Sequence, residues 1–438
     1  MESSRALSMP PRWEPAAEPK HPHAGSAERR LAYVLIAASA APLPFQPVPW
    51  GFTLFPFALV LFPLLSLWLA ERSVRGTVGH PAAVRIDGVL VAMLLLAFSL
   101  AVSATASGGG WRPFFLWLYL SALYAFARYR LPRLIPVERL AQLLIALIVV
   151  MAGICAVQFL TLSTFGALAT YFPGGEAQNA RVLGVNGLKR VQGPFYGTNI
   201  LAQWLTFASL WLIAATRAIR VRGVFVAMVL SSGMVLLTFS RGSWLIVPLA
   251  TASLVALLYR TGLLPASRIP VLVLVSLLVL GLGAQFAPAS WFERFRADRG
   301  STRERNDAMR AGVAVIHARP AFGSGYGRFV DVAFDLGYVA DLRPHNVFVQ
   351  VFAEHGVLPL ATYALLLGAI FREARRRSKC IDATRALGLA VLVAVIVWIA
   401  FMLFYETAND YAVTPIIFLL FGYSLASPLY GEDASTAP

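Results

Sequence analysis

Apolar runs of about 20 residues, the length of helix that crosses a ~30 Å hydrocarbon layer, recur along almost the whole of this chain. In hydrocarbon every backbone N–H and C=O must find a partner inside the structure, and runs of this length do so as helices. With 58% hydrophobic and only 13% charged residues over 438 positions, and a mean hydropathy of +0.68, the composition is that of an integral membrane protein and leaves no room for a separate soluble domain.

A net charge of +15 would suggest nucleic acid or anionic lipid as a partner of a soluble protein. In a membrane chain the placement of each cation matters more than the sum, so no nucleic-acid partner is expected. Cys155 lies in an apolar run and Cys380 in a basic loop, which supports neither a disulfide framework nor a CxxC metal site.

Twelve spans are expected, at about 31–47, 50–70, 86–106, 111–127, 139–162, 199–216, 223–239, 243–260, 269–287, 346–371, 385–405 and 411–427. Residues 1–30, rich in Pro, Ala, His and charge, read as a disordered cytoplasmic tail, and residues 428–438 as a second one. "LAYVLIAASAAP" could pass for a signal peptide, but the tail before it is long for one, so it is retained as a helix.

Charge placement sets the orientation. With the N-terminus inside, the inner loops hold Arg72, Arg75 and Arg85; Arg128, Arg130, Arg133 and Arg139; Arg217, Arg220 and Arg222; Arg260 and Arg268; and the run "REARRRSKCIDATR". Every second loop is basic, as the positive-inside rule requires. The expected fold is therefore all-α and polytopic, with spans 1–9 over 31–287, an outer segment at 163–198, a partly helical outer loop at 288–345, spans 10–12 over 346–427 and both termini inside.

The two long outer segments are themselves basic, but loops of this length cross the membrane whatever their charge. Within the second, "STRERNDAMRAGVAVIHARP" reads as a helix ended by Pro320, "FGSGYGRF" as a glycine-rich turn and "VDVAFDLGYV" as a short amphipathic piece.

Three polar constellations fall on the outer face. In "VLLTFSRGSWLIVPL", Arg241 stands at the apex of a hairpin, since the apolar region from Gly223 to Tyr259 is too long for one upright helix and right for two. It is either an interfacial arginine reaching for water or part of a site. In "RPHNVFVQVFAEHGVLPL", Arg343, His345, Asn346, Gln350 and Glu354 stand where the loop becomes the tenth span, with Gln350 and Glu354 one turn apart on one face. The lesser alternative is that His345 and Asn346 merely cap the helix, since Asn is a good N-cap residue. In "LKRVQGPFYGTNILAQW", Lys189 and Arg190 precede the sixth span and Asn199 opens it; cations before a helix N-terminus suit an anion, and they also suit an interfacial anchor.

Arginines gathered with a histidine at the boundary of lipid and water can hold a lipid-linked phosphate or pyrophosphate while the imidazole takes a proton from a hydroxyl. "GSGYG" is neither a Walker loop nor a Rossmann turn, and no His-x-x-x-His or Asp-x-Asp pair supports a metal. No metal or cofactor is expected, and arginine would have to stabilise the leaving group.

At these residues the sequence resembles the O-antigen ligase and O-antigen polymerase superfamily of bacterial envelope glycosyltransferases. The resemblance rests on "FSRGSWL", "RVQGPFYGTN", "ARPAFGSGYGRF" and "PHNVFVQVFAEHGVLP", and runs from about 181 to 372, while "STRERNDAM" departs from the family pattern. It implies an inner-membrane enzyme with its site facing the periplasm. Its donor would be an undecaprenyl-pyrophosphate-linked O-antigen and its acceptor a sugar hydroxyl, with neither metal nor nucleotide sugar. It also implies that Arg190 and Arg241, with Lys189 beside them, hold the pyrophosphate, that His345 activates the acceptor, and that Arg343, Asn346, Glu354 and Asn199 support them. A long basic outer loop suits the anionic lipid A core, which favours a ligase over a polymerase of the same chemistry. A transporter of the same lipid would keep its polar residues nearer the midplane.

Overall fold

The computed structural model describes residues 26–40, 61, 63–65, 87–161, 191–195, 197–217, 221–265, 299–338, 343–380, 384–405 and 413–426. All regular structure among them is helical. The main elements are α1 (Ser26–Ala40), α2 (Gly88–Ser107), α3 (Arg112–Tyr129), α4 (Val137–Thr161), α5 (Thr198–Ala214), α6 (Val221–Leu237), α7 (Arg241–Arg260), α8 (Arg299–Ala318), α9 (Phe329–Asp335), α10 (Val347–His355), α11 (Val357–Arg377), α12 (Thr384–Phe404) and α13 (Thr414–Leu425).

Five helices are long and apolar enough to cross a membrane, namely Gly88–Ser107, Val137–Leu160, Gly242–Arg260, Val357–Arg377 and Thr384–Phe404, and three apolar helices at Thr198–Ala214, Arg222–Leu237 and Thr414–Leu425 are shorter. The expected spans three to eight, eleven and twelve thus coincide with helices. The expected spans at 50–70, apart from residues 61 and 63–65, and at 269–287 lie outside the described residues, as does the tail at 428–438.

Two expectations are revised. Helix α1 begins at Ser26, inside the stretch read as a tail, because Glu28 is buried against Arg130, whose Nε and Nη2 donate to the two carboxylate oxygens at 2.7 and 2.8 Å. The expected tenth span, 346–371, is two helices broken at Gly356, which has φ 84°. The crossing helix therefore starts at Val357, and α10 precedes it.

Aromatic rings hold the centre. Trp117 of α3 meets Tyr363 of α11 edge-on at 5.7 Å and Phe418 of α13 at 5.5 Å, and Trp398 of α12 meets Phe418 at 5.6 Å. Edge-to-face pairs of this kind add to simple packing, which matters in lipid, where burial of apolar surface does little to join helices.

One end of the bundle is tied by ions. Buried Arg128, in the last turn of α3, pairs with Asp87, the N-cap of α2, with Glu373 of α11 at 2.9 Å, and donates to the Leu425 carbonyl at the end of α13. The hydroxyls of Tyr124 and Tyr129 donate to the same Asp87 oxygen at 3.2 and 3.1 Å. These partners satisfy charges that would otherwise be costly at this depth.

At the opposite end, α8 and α9 fold onto α10 through a separate small core of Ala311, Val315, Phe329, Val332, Ala333 and Ala353. The loop expected to be folded and partly helical thus has its two helices packed on α10.

Candidate functional site

Helices α11 and α12 run antiparallel: Arg385 at the start of α12 donates to the Ser378 carbonyl just past α11, and the Tyr363 hydroxyl near the start of α11 meets the Met402 sulfur near the end of α12. The end of α12 therefore shares the end of the bundle with the α10–α11 break. Tyr405, immediately after α12, reaches the α6–α7 hairpin, where its hydroxyl lies 3.0 Å from Ser240 Oγ, itself 2.8 Å from Ser243 Oγ. A Cβ on Gly242 would stand 2.6 Å from that Tyr405 hydroxyl, so a larger residue here would have to displace the tip of the Tyr405 side chain.

The hairpin apex expected at "SRG" is present. Helix α6 stops at Leu237, Phe239 turns the chain at φ 51°, and Arg241 is the first residue of α7. Its side chain lies outside the described residues, as do Lys189 and Arg190. The backbone nevertheless joins the two segments: the Val191 N–H donates to the Leu237 carbonyl at 3.0 Å. Buried Gln158 of α4 fixes the rest of the stretch, accepting from Gly193 N at 2.9 Å and donating to Gly193 O at 2.8 Å. Asn199, the second residue of α5, is half-buried beyond it.

The glycine-rich turn explains the helix break. Ser324 N–H and Gly325 N–H donate to the carbonyls of Ala353 and Glu354 at 2.8 and 2.9 Å, and Val357 N–H donates to Pro320 O at 3.0 Å. The carbonyls that a helix end leaves free are thus closed by another segment. Contact is tight on both sides, for a Cβ on Gly323 would lie 2.4 Å from the Glu354 carbonyl carbon and one on Gly356 would lie 2.1 Å from Ala321 O. Gly323, Gly325 and Gly356 also have positive φ, which glycine adopts at little cost.

Around this junction a polar cluster assembles from the glycine turn and the α10 segment. Arg343 Nε stands 3.0 Å from Glu354 Oε1, an ion pair without the alignment of a hydrogen bond. Gln350 Nε2 is 3.5 Å from Glu354 Oε2, and His355 Nε2 is 4.0 Å from the same oxygen. Gln350, Glu354 and His355 are all buried. The Tyr326 ring, carried by the glycine turn, lies parallel to His355 with centroids 6.2 Å apart and 4° between planes, and the Arg343 guanidinium is 5.1 Å from its centroid.

Burial sets the protonation states. It pushes the Glu354 carboxyl up to about 7 against the opposing pull of Arg343 and Gln350. It pushes His355 down to about 3, with Arg343 adding to the effect. His345, half-buried beside α10, is held near 4 by burial and then by the charge of Arg305, so its imidazole is neutral at ordinary pH.

The structure thus brings together Arg343, Gln350 and Glu354, while His345 lies just before α10, near the charge of Arg305. Asn346 acts as the cap weighed from sequence, its side-chain oxygen accepting from Phe348 N and Val349 N at 3.0 and 3.2 Å. His355 and Tyr326 were not singled out by sequence reasoning. The signal was there in "EHGVLP", where Gly356 and Pro359 mark a helix end inside an apparently continuous span. Among the described residues no three His, Cys, Asp or Glu side chains gather as a metal site would require.

A comparison with curated proteins finds no match to the chain. Residues 226–364, which carry the hairpin apex, the folded loop, the polar cluster and the helix break, match the family model described as O-antigen ligase, and this match supports the O-antigen ligase and polymerase superfamily.

Proposed function

We propose that this chain transfers an O-antigen glycan from undecaprenyl pyrophosphate to a sugar hydroxyl of the lipid A core, at the periplasmic face of the bacterial inner membrane. The observation that carries this reading is the gathering of neutral His345, the Arg343–Glu354 pair and the first residue of α7 at one end of a membrane bundle, within the segment that matches the family. The opposite end holds Arg128, Arg130, Arg375, Arg376 and Arg377, as a cytoplasmic end should.

In this reaction His345 takes the proton of the acceptor hydroxyl as its oxygen bonds to the anomeric carbon. The bond from that carbon to the phosphate oxygen breaks, and undecaprenyl pyrophosphate leaves with the electron pair. Arg241, Arg190 and Lys189 hold the pyrophosphate and offset the charge that develops on it. Glu354 keeps Arg343 directed at the junction, Asn346 fixes the start of α10, and Asn199 supports the site from the first turn of α5.

The test is reconstitution of the purified protein with lipid-linked O-antigen and lipopolysaccharide lacking O-antigen, with no divalent metal added. Glycan should appear on the lipid A core, and His345→Ala should reduce it by about 10²–10⁴-fold, the usual contribution of a general base. Glycan lengthened on its own carrier would make the enzyme a polymerase, and absence of product from the unaltered protein would point to transport. Full activity in folded His345→Ala would remove the base assignment.

A further inference from the structure

The loop between α8 and α10 is bonded to the membrane-crossing helix α2 below that helix's end. Ser103 of α2 donates its hydroxyl to the Phe322 carbonyl at 3.1 Å, Arg328 Nη1 donates to the Ser107 carbonyl at 3.0 Å, and Gly110 N–H donates to the Tyr326 carbonyl at 3.1 Å. Ser103 precedes the last residue of α2 by one turn, so the Phe322 backbone sits roughly 6 Å deeper than the helix end at 1.5 Å per residue. That is about the depth of the zone between headgroups and hydrocarbon.

At this level the loop presents apolar side chains outward. Phe322 is 45% exposed, and on α9 the pair Val330 and Phe334, one turn apart, are 42% and 69% exposed while Phe329, Val332 and Ala333 face inward. Leu336 and Tyr338 continue the exposed stretch, and Arg319 and Arg328 stand exposed beside it. Beside segments bonded to this loop stand the exposed residues Val357 and Leu358 at the start of α11, whose Val357 N–H donates to Pro320 O, and Trp111, next to Gly110, whose N–H donates to Tyr326 O. Exposed phenylalanines next to arginines and an end-of-helix tryptophan are what a surface needs to lie in the interfacial layer, with rings in the acyl boundary and guanidiniums at the phosphates.

We propose that residues 319–338 form a membrane-docking surface whose partner is the bilayer itself, with Phe322 and Phe334 inserted in the interfacial layer and Arg319 and Arg328 at the phospholipid phosphates. The lipid then holds the glycine turn against the α10–α11 break and keeps the polar cluster at headgroup level. The inference needs only that α2 crosses a membrane, and it stands whether or not the transfer reaction is the one proposed above.

The test uses the full chain in vesicles of phosphatidylethanolamine and phosphatidylglycerol. In a Cys380→Ser background, with Cys155 buried, an environment-sensitive fluorophore is attached at Phe322→Cys, Phe334→Cys or, for comparison, Glu304→Cys on the exposed face of α8. Labels at 322 and 334 should be quenched by phospholipid brominated near the headgroup and spared by aqueous iodide, giving a lipid-to-iodide ratio several-fold above that at 304. A ratio equal to that at 304 overturns the proposal. Should the label at 322 or 334 prevent folding, the same two outcomes are read at Val330→Cys and Leu336→Cys.

Discussion

Arg343 Nε lies 3.0 Å from an oxygen of Glu354, whose side chain is wholly buried while that of Arg343 is 32% exposed. The carboxylate thus faces the interior and the guanidinium faces the junction, so Glu354 is placed to direct Arg343 and not to meet substrate itself. Glu354→Gln, which keeps the shape but not the charge, should lower transfer about tenfold, equivalent to ~1.4 kcal/mol of transition-state stabilisation. Combined with Arg343→Ala it should add almost nothing, since both changes remove one interaction. Initial rates of glycan transfer measure both, and additive losses would separate the two residues.

The same pair predicts a pH dependence. Burial holds the Glu354 carboxyl near 7, so the ion pair is complete above that value and is lost as the pH falls through it. Transfer by the unaltered protein should therefore decline from pH 8 to pH 6, and the decline should be absent in Glu354→Gln. His345, held near 4, stays neutral throughout this window and adds no limb of its own. A limb near 7 that survives in Glu354→Gln would assign it to another group.

Gly356 separates α10 from α11 at φ 84°, and a Cβ there would lie 2.1 Å from Ala321 O. Gly356→Ala should lose about 1–3 kcal/mol from the left-handed backbone alone, and more from the displaced turn. The thermal midpoint in detergent should fall. Iodide access to a label at residue 322 should rise if the turn detaches.

At the hairpin, the Gly242 Cα faces the Tyr405 hydroxyl so closely that an added methyl would meet it at 2.6 Å. Gly242→Ala should impair transfer by shifting the apex that begins with Arg241. Tyr405→Phe removes the clashing oxygen and should restore part of the loss, although it also removes the contact with Ser240. Activity of the double variant below that of Gly242→Ala would show that the apex is not positioned by this contact.

At the far end of the bundle, Arg128→Ala would strip Asp87 and Glu373 of their shared buried cation. Removing one partner of a buried pair typically costs 3–5 kcal/mol, so folded yield and thermal midpoint should both drop sharply.

What the sequence determined by itself was the class of fold, the edges of most helices and the hairpin at Arg241, because hydrocarbon permits few backbone arrangements and apolar length and loop charge report on them directly. It also marked His345, Asn346, Gln350 and Glu354 as polar residues at a helix start, where charge is too costly to be idle. Only the tertiary structure decided that this start is a separate helix ended at Gly356, since the break depends on Ser324 and Gly325 closing its last carbonyls, and on the Pro320 carbonyl accepting from Val357 N–H, from a distant part of the chain. It alone brought Tyr326 to His355 and Arg343 to Glu354. These are contacts between segments, and a periodic pattern along one segment carries no record of which surface another will cover.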